Sequence, residues 1–143
     1  MEKTNMNSKI TRAILAGIIG TVIMSIVMFL VPLIGLPERS PANMLAGMTG
    51  TPVVVGWIMH FMIGIFFAAV YVYLFAPNVK IGNIYLKGAI YGFLVFIFAQ
   101  VMMMIMASMM PMPPSNDSMA LVIAGSILSH VIFGIVVAKV AGE

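Results

Sequence analysis

The chain has 143 residues, of which 62% are hydrophobic and only 8% charged, with a net charge of +3. A soluble globular domain carries about 25% charged residues, so this composition excludes one, and its apolar content excludes a disordered chain. The lack of cysteine excludes a disulfide framework, thiolate metal sites, iron–sulfur clusters and covalently attached haem.

What remains is an integral membrane protein, read as one domain over 1–143. A membrane helix needs about 20 apolar residues. Four stretches qualify, at about 13–36, 52–76, 84–110 and 119–141, and none has a charge in its middle. Lys3, Lys9 and Arg12 ahead of the first stretch imitate a signal peptide. That run is longer than the 7–15 residues of a signal core and ends in Pro32, Gly35 and Pro37 without a cleavage pattern, so it is read as a retained helix.

The loop at 35–52 has structure of its own. Ser40-Pro41 is an N-cap followed by proline at the first helical position, and Gly50 is a stop signal. A short helix over 41–48 would put Met44, Leu45 and Met48 on one face, lying on the membrane surface or plugging the bundle. The loop at 111–118 holds Pro111, Pro113 and Pro114 and is expected to be irregular. Lys3, Lys9, Arg12, Lys80, Lys87 and Lys139 all fall on one side, and Arg39, Glu38 and Asp117 on the other. The positive-inside rule then places both termini in the cytoplasm. Tyr71, Tyr73, Tyr85 and Tyr91 would sit near the inner interface and Trp57 near the outer one.

The second and fourth stretches share a pattern. Gly56, His60, Gly64 and Ala68 correspond to Ser126, His130, Gly134 and Ala138, at a fixed offset. A four-residue step keeps each set on one helix face. The first and third stretches match more loosely, Arg12, Ala13, Gly17 and Ser25 against Lys87, Gly88, Gly92 and Gln100. The expected architecture is therefore all-α: four transmembrane helices in two parallel-related hairpin repeats, 10–76 and 84–141.

Counting at 1.5 Å per residue puts His60 about 12 Å and His130 about 16 Å below the outer helix ends. Ser25 and Gln100 come to about 20 Å above the inner cations, the same outer layer. Polar groups inside a membrane tend to face the bundle interior. The expectation is one buried cluster of Ser25, His60, Gln100 and His130.

Three readings of that layer follow. In the first, the layer is structural: small residues allow close helix approach, and Ser, Gln and His hydrogen bond between helices. The chain is then a non-enzymatic accessory or scaffold protein with no cofactor. The second is a b-type haem clamped between His60 and His130, with Gly64 and Gly134 leaving room for the macrocycle and electron transfer as the role. The third is copper binding or passage, from the thioethers of Met102, Met103, Met104, Met106, Met109, Met110, Met112 and Met119. Enzyme chemistry lacks support: no carboxylate lies within a span, no cysteine nucleophile exists, and Ser126 and Ser129 lack a triad carboxylate. Expected partners are the lipid bilayer and another membrane protein or a second copy, docked on small-residue faces such as Ala13/Gly17 and Ala16/Gly20. The net charge serves topology, so no nucleic acid is expected.

The segments Arg12–Gly17, Gly35-Leu36-Pro37, Pro41–Ala46 and Trp57–Gly64 resemble a family of small bacterial four-helix membrane proteins filed as a domain of unknown function. The resemblance covers most of the chain, best in its first half, with the methionine-rich third stretch matching least. It implies the four-helix topology and a bacterial inner-membrane location, and it carries no activity or cofactor.

Overall fold

The first apolar stretch forms α1 (Glu2–Leu30), which begins before the apolar run because residues 2–12 contain neither glycine nor proline. Pro32 ends it: the chain tightens into a 3-10 turn at Val31–Ile34 and reverses at Gly35, whose φ of 82° needs glycine. The computed structural model describes residues 2–109 and 116–142. The expected proline-rich loop at Pro111, Pro113 and Pro114, and Met110 and Met112, lie outside the described residues.

The short helix expected after Ser40 is present as α2 (Pro41–Thr49). Ser40 Oγ accepts from the Asn43 amide at 3.2 Å, and Gly50 closes the helix in the left-handed conformation. α3 (Val53–Val70) then runs back through a π-helical segment (Tyr71–Phe75) into a last turn, α4 (Ala76–Asn78). Pro77 explains the widened segment, since its ring clashes with the carbonyl four residues earlier in a regular helix. α5 (Ile84–Met109) starts at Asn83, whose Oδ1 accepts from the amides of Tyr85 at 3.0 Å and Leu86 at 3.1 Å. α6 (Met119–Ala141) ends at Gly142, φ 74°.

Among the described residues, four segments are long and apolar enough to cross a membrane: Ser8–Ile34, Val53–Asn78, Ile84–Met109 and Met119–Ala141. The protein is an all-α membrane protein, and no strand occurs among the described residues. α1 packs along α3 and α6, and α6 along α5, whereas α3 and α5 are not packed along their length.

Each hairpin packs closely through glycine. A Cβ on Gly17 would stand 2.5 Å from Ile65 Cα, and one on Gly92 would stand 2.2 Å from the His130 carbonyl oxygen. Backbone therefore meets backbone at both crossings, the usual way of packing helices where no hydrophobic drive exists. Ala13, Ala16, Gly17 and Gly20 are buried inside this bundle. That corrects the expectation that their faces are free to receive a partner helix: α3 and α6 already occupy them. Tyr71 and Tyr91 are core residues whose rings meet edge to face at 4.9 Å, while Tyr73 and Tyr85 are exposed.

The core is one-sided. Its members (among them Ala13, Ala68, Tyr71, Tyr91, Phe133 and Val137) lie toward the end that carries the chain termini. There Lys87, buried on α5, donates from Nζ to the Ala76 carbonyl at 3.0 Å, meeting a carbonyl left over at the end of α4. Lys139 reaches out along the surface to Tyr85 Oη at 3.2 Å, as a snorkelling lysine does. The half of the bundle nearer α2 is hollow.

Candidate functional site

α1, α2, α3, α5 and α6 together enclose a cavity of about 550 Å³. This is within the usual size of small-molecule sites, about 300–1,000 Å³. It exists because α3 and α5 part after their last contacts. Phe67 and Phe98 meet edge to face at 5.4 Å, and Tyr91 Oη donates to the Phe67 carbonyl just below. Beyond that floor the two helices leave a gap. Met62, Phe66 and Phe98 line the cavity and yet are 65%, 60% and 50% exposed, so the gap is a mouth that opens sideways, where lipid would lie.

The opposite end is roofed by α2. A Cβ on Gly56 would stand 2.0 Å from the Ala42 carbonyl oxygen, so α2 rests directly on α3. Ala42 and Ala46 are buried in that contact, and Met44, Leu45 and Met48 face the cavity. Arg39 borders the roof and bridges to Asp117 at 3.1 Å, tying the α1–α2 loop to the start of α6.

Both histidines line this one cavity. The expected polar layer is present as two groups. Ser25 Oγ lies 3.3 Å from His60 Nε2 and donates to the Thr21 carbonyl at 2.8 Å. On the other hairpin, His130 Nδ1 lies 2.8 Å from the Ser126 carbonyl, and Gln100 Nε2 donates weakly to Ser126 Oγ at 3.4 Å. No hydrogen bond joins the two groups among the described residues, so the single four-residue cluster expected from helix depth is instead a divided one. Edge-to-face rings back each imidazole: Trp57 lies 6.0 Å from His60 and Phe96 lies 6.0 Å from His130.

Gly64 and Gly134 do not line the cavity. A Cβ on Gly64 would meet Thr21 Oγ1 at 1.8 Å, and one on Gly134 would meet the Gly88 carbonyl oxygen at 2.2 Å. Both glycines are filled by neighbouring helices, so the space they were expected to leave for a flat macrocycle is taken. The methionine cluster also divides. Met102, Met103 and Met106 line the cavity, whereas Met104 and Met109 on the same helix and Met119 on α6 are exposed. Further lining methionines come from α1, α2 and α3, so the thioethers form a flexible apolar wall. Among the described residues no group of three or more His, Cys, Asp or Glu converges as a metal site.

Two site features escaped the sequence reading. Ser126, which the repeat pattern already places on the His130 face, serves as a hydrogen-bond partner of Gln100 and His130, a role the sequence reading did not give it. The Arg39–Asp117 pair joins residues far apart in sequence, and no local pattern signals it. No curated protein and no solved structure matches this chain. The model of the family described as "Family of unknown function (DUF6789)" matches residues 7–143, nearly the whole chain, which therefore belongs to that family.

Proposed function

We propose that this is a non-enzymatic accessory membrane protein that takes an apolar, lipid-derived molecule from the bilayer and holds it between its two hairpins. The observation that carries this reading is the cavity of about 550 Å³ with a sideways mouth of exposed apolar residues at Met62, Phe66 and Phe98. Helices in a membrane ordinarily pack closely through small residues, as α5 and α6 do here, so a hollow half is a departure that a bound molecule explains. The matched glycine contacts of the two hairpins support the reading of the chain as a duplicated hairpin. The distribution of lysine and arginine supports cytoplasmic termini, and the resemblance supports a bacterial inner membrane.

Organic extraction of the purified protein, followed by mass spectrometry, is expected to recover about one apolar molecule per chain, as for a single well-formed site. Ala99→Phe combined with Gly125→Phe, which place rings from two lining positions into the space, should lower that yield. No recovery above the bulk lipid background would overturn the proposal. The two histidines on one cavity favour a second reading, a bis-histidine haem b protein for electron transfer. It requires a Soret band that disappears in His60→Ala and His130→Ala, and a colourless preparation of the full chain would end it. Metal analysis of the same sample tests copper.

A further inference from the structure

The geometry points to the chemistry of the occupant's polar end: an uncharged hydroxyl that donates a hydrogen bond, as in a long-chain or isoprenoid alcohol. This rests on the cavity holding a lipid-derived molecule, and it goes further by reading which atoms that molecule meets.

The argument follows the protons. Ser25 Oγ spends its only hydrogen on the Thr21 carbonyl at 2.8 Å. Toward His60 Nε2, 3.3 Å away, it can therefore only accept. His60 then carries its hydrogen on Nε2 and its lone pair on Nδ1. On the other hairpin, His130 Nδ1 lies 2.8 Å from the Ser126 carbonyl, which has only lone pairs to offer. His130 thus carries its hydrogen on Nδ1 and its lone pair on Nε2. Neither lone pair accepts a hydrogen bond from the described residues. Gln100 directs its amide nitrogen to Ser126 Oγ, which leaves its carbonyl oxygen as an acceptor as well.

Both imidazoles of the cavity wall therefore present acceptors, beside the donors left on Gln100 (its second amide hydrogen) and on the Ser126 hydroxyl. A carbonyl or ether oxygen could accept from Gln100 or Ser126 but would leave both imidazole lone pairs unpaired, and a buried unpaired acceptor is costly. A carboxylate would find only Arg39, at the roof, whose charge is already shared with Asp117; among the described residues no lysine lines the cavity. A permanent cation has no carboxylate, since no Asp or Glu lines it either. A neutral hydroxyl satisfies an imidazole lone pair without burying charge, and its chain fits the methionine and phenylalanine walls.

The test compares three probes of one chain length, hexadecan-1-ol, hexadecyl methyl ether and palmitic acid, on the full chain in lipid nanodiscs. Binding is read by native mass spectrometry and by the fluorescence of Trp57, the one tryptophan, whose ring lies 6.0 Å from that of His60. The alcohol is expected to bind about tenfold more tightly than the ether, the upper range for a net hydrogen bond. In His60→Phe combined with His130→Phe that preference should vanish while ether binding persists. Equal binding of alcohol and ether by the unmodified chain overturns the hydroxyl assignment and leaves the cavity reading standing. Tighter binding of palmitic acid overturns it too. Binding of none of the three overturns both.

Discussion

Gly134→Ala is expected to be the most damaging single-methyl change in this protein. The added Cβ would stand 2.2 Å from the Gly88 carbonyl oxygen, 2.4 Å from Gly92 N and 2.6 Å from Gly92 Cα. All three are backbone atoms of α5, so no rotamer change relieves the clash and the two helices must separate. Overpacking a close contact costs about 1–3 kcal/mol and more where backbone must move. A loss of about 3 kcal/mol or more is expected here. Thermal unfolding of the purified protein in detergent checks it. Gly47→Ala is the matching control, because a Cβ there meets nothing within 4 Å. In a helix that change should be neutral or stabilise by up to about 1 kcal/mol. Equal stability of the two variants would contradict the α5–α6 packing.

Gly56→Val should act locally, and by a different route. Its Cβ would stand 2.0 Å from the Ala42 carbonyl oxygen and 3.1 Å from Ala46 Cβ, so α2 must lift from α3. The core lies toward the other end of the bundle and does not depend on that contact. The bundle should stay folded while its roof opens. Each 1.4 kcal/mol removed from the cost of opening raises the open population about tenfold. Met24 is buried and lines the cavity, and the chain has no cysteine, so Met24→Cys supplies a single reporter. A water-soluble maleimide is expected to label that cysteine about tenfold faster or more when Gly56→Val is also present. An unchanged rate would show that α2 is not the roof.

What could be read from residues alone follows the range of the interactions. Capping is local chemistry, so Ser40-Pro41 and Gly50 announce α2 within a residue. Span length and hydropathy are also local, and the four crossing helices follow from them. Neighbour choice is not local. The step from His60 to Gly64 marks a shared face, but a glycine does not say whether the space it leaves is filled by Thr21 or by a ligand. Ala13, Gly17 and Gly20 likewise mark a close-approach face without saying that α3 and α6 already use it. Pro77 is a readable signal for the widened π-helical turn, because its ring clashes with the carbonyl four residues earlier. The cavity depends on α3 and α5 failing to pack beyond Phe67 and Phe98, a property of the assembled bundle that no single segment encodes.

The most direct measurement exploits the fact that the chain contains only two histidines. Solid-state NMR of protein carrying isotope-labelled histidine, otherwise perdeuterated and placed in bilayers with protonated acyl chains, reports what surrounds each ring. Both imidazoles are expected to receive magnetisation from alkyl-chain protons, with His60 protonated on Nε2 and His130 on Nδ1. Rings that contact only neighbouring side chains or water would contradict a lipid-filled cavity shared by the two hairpins.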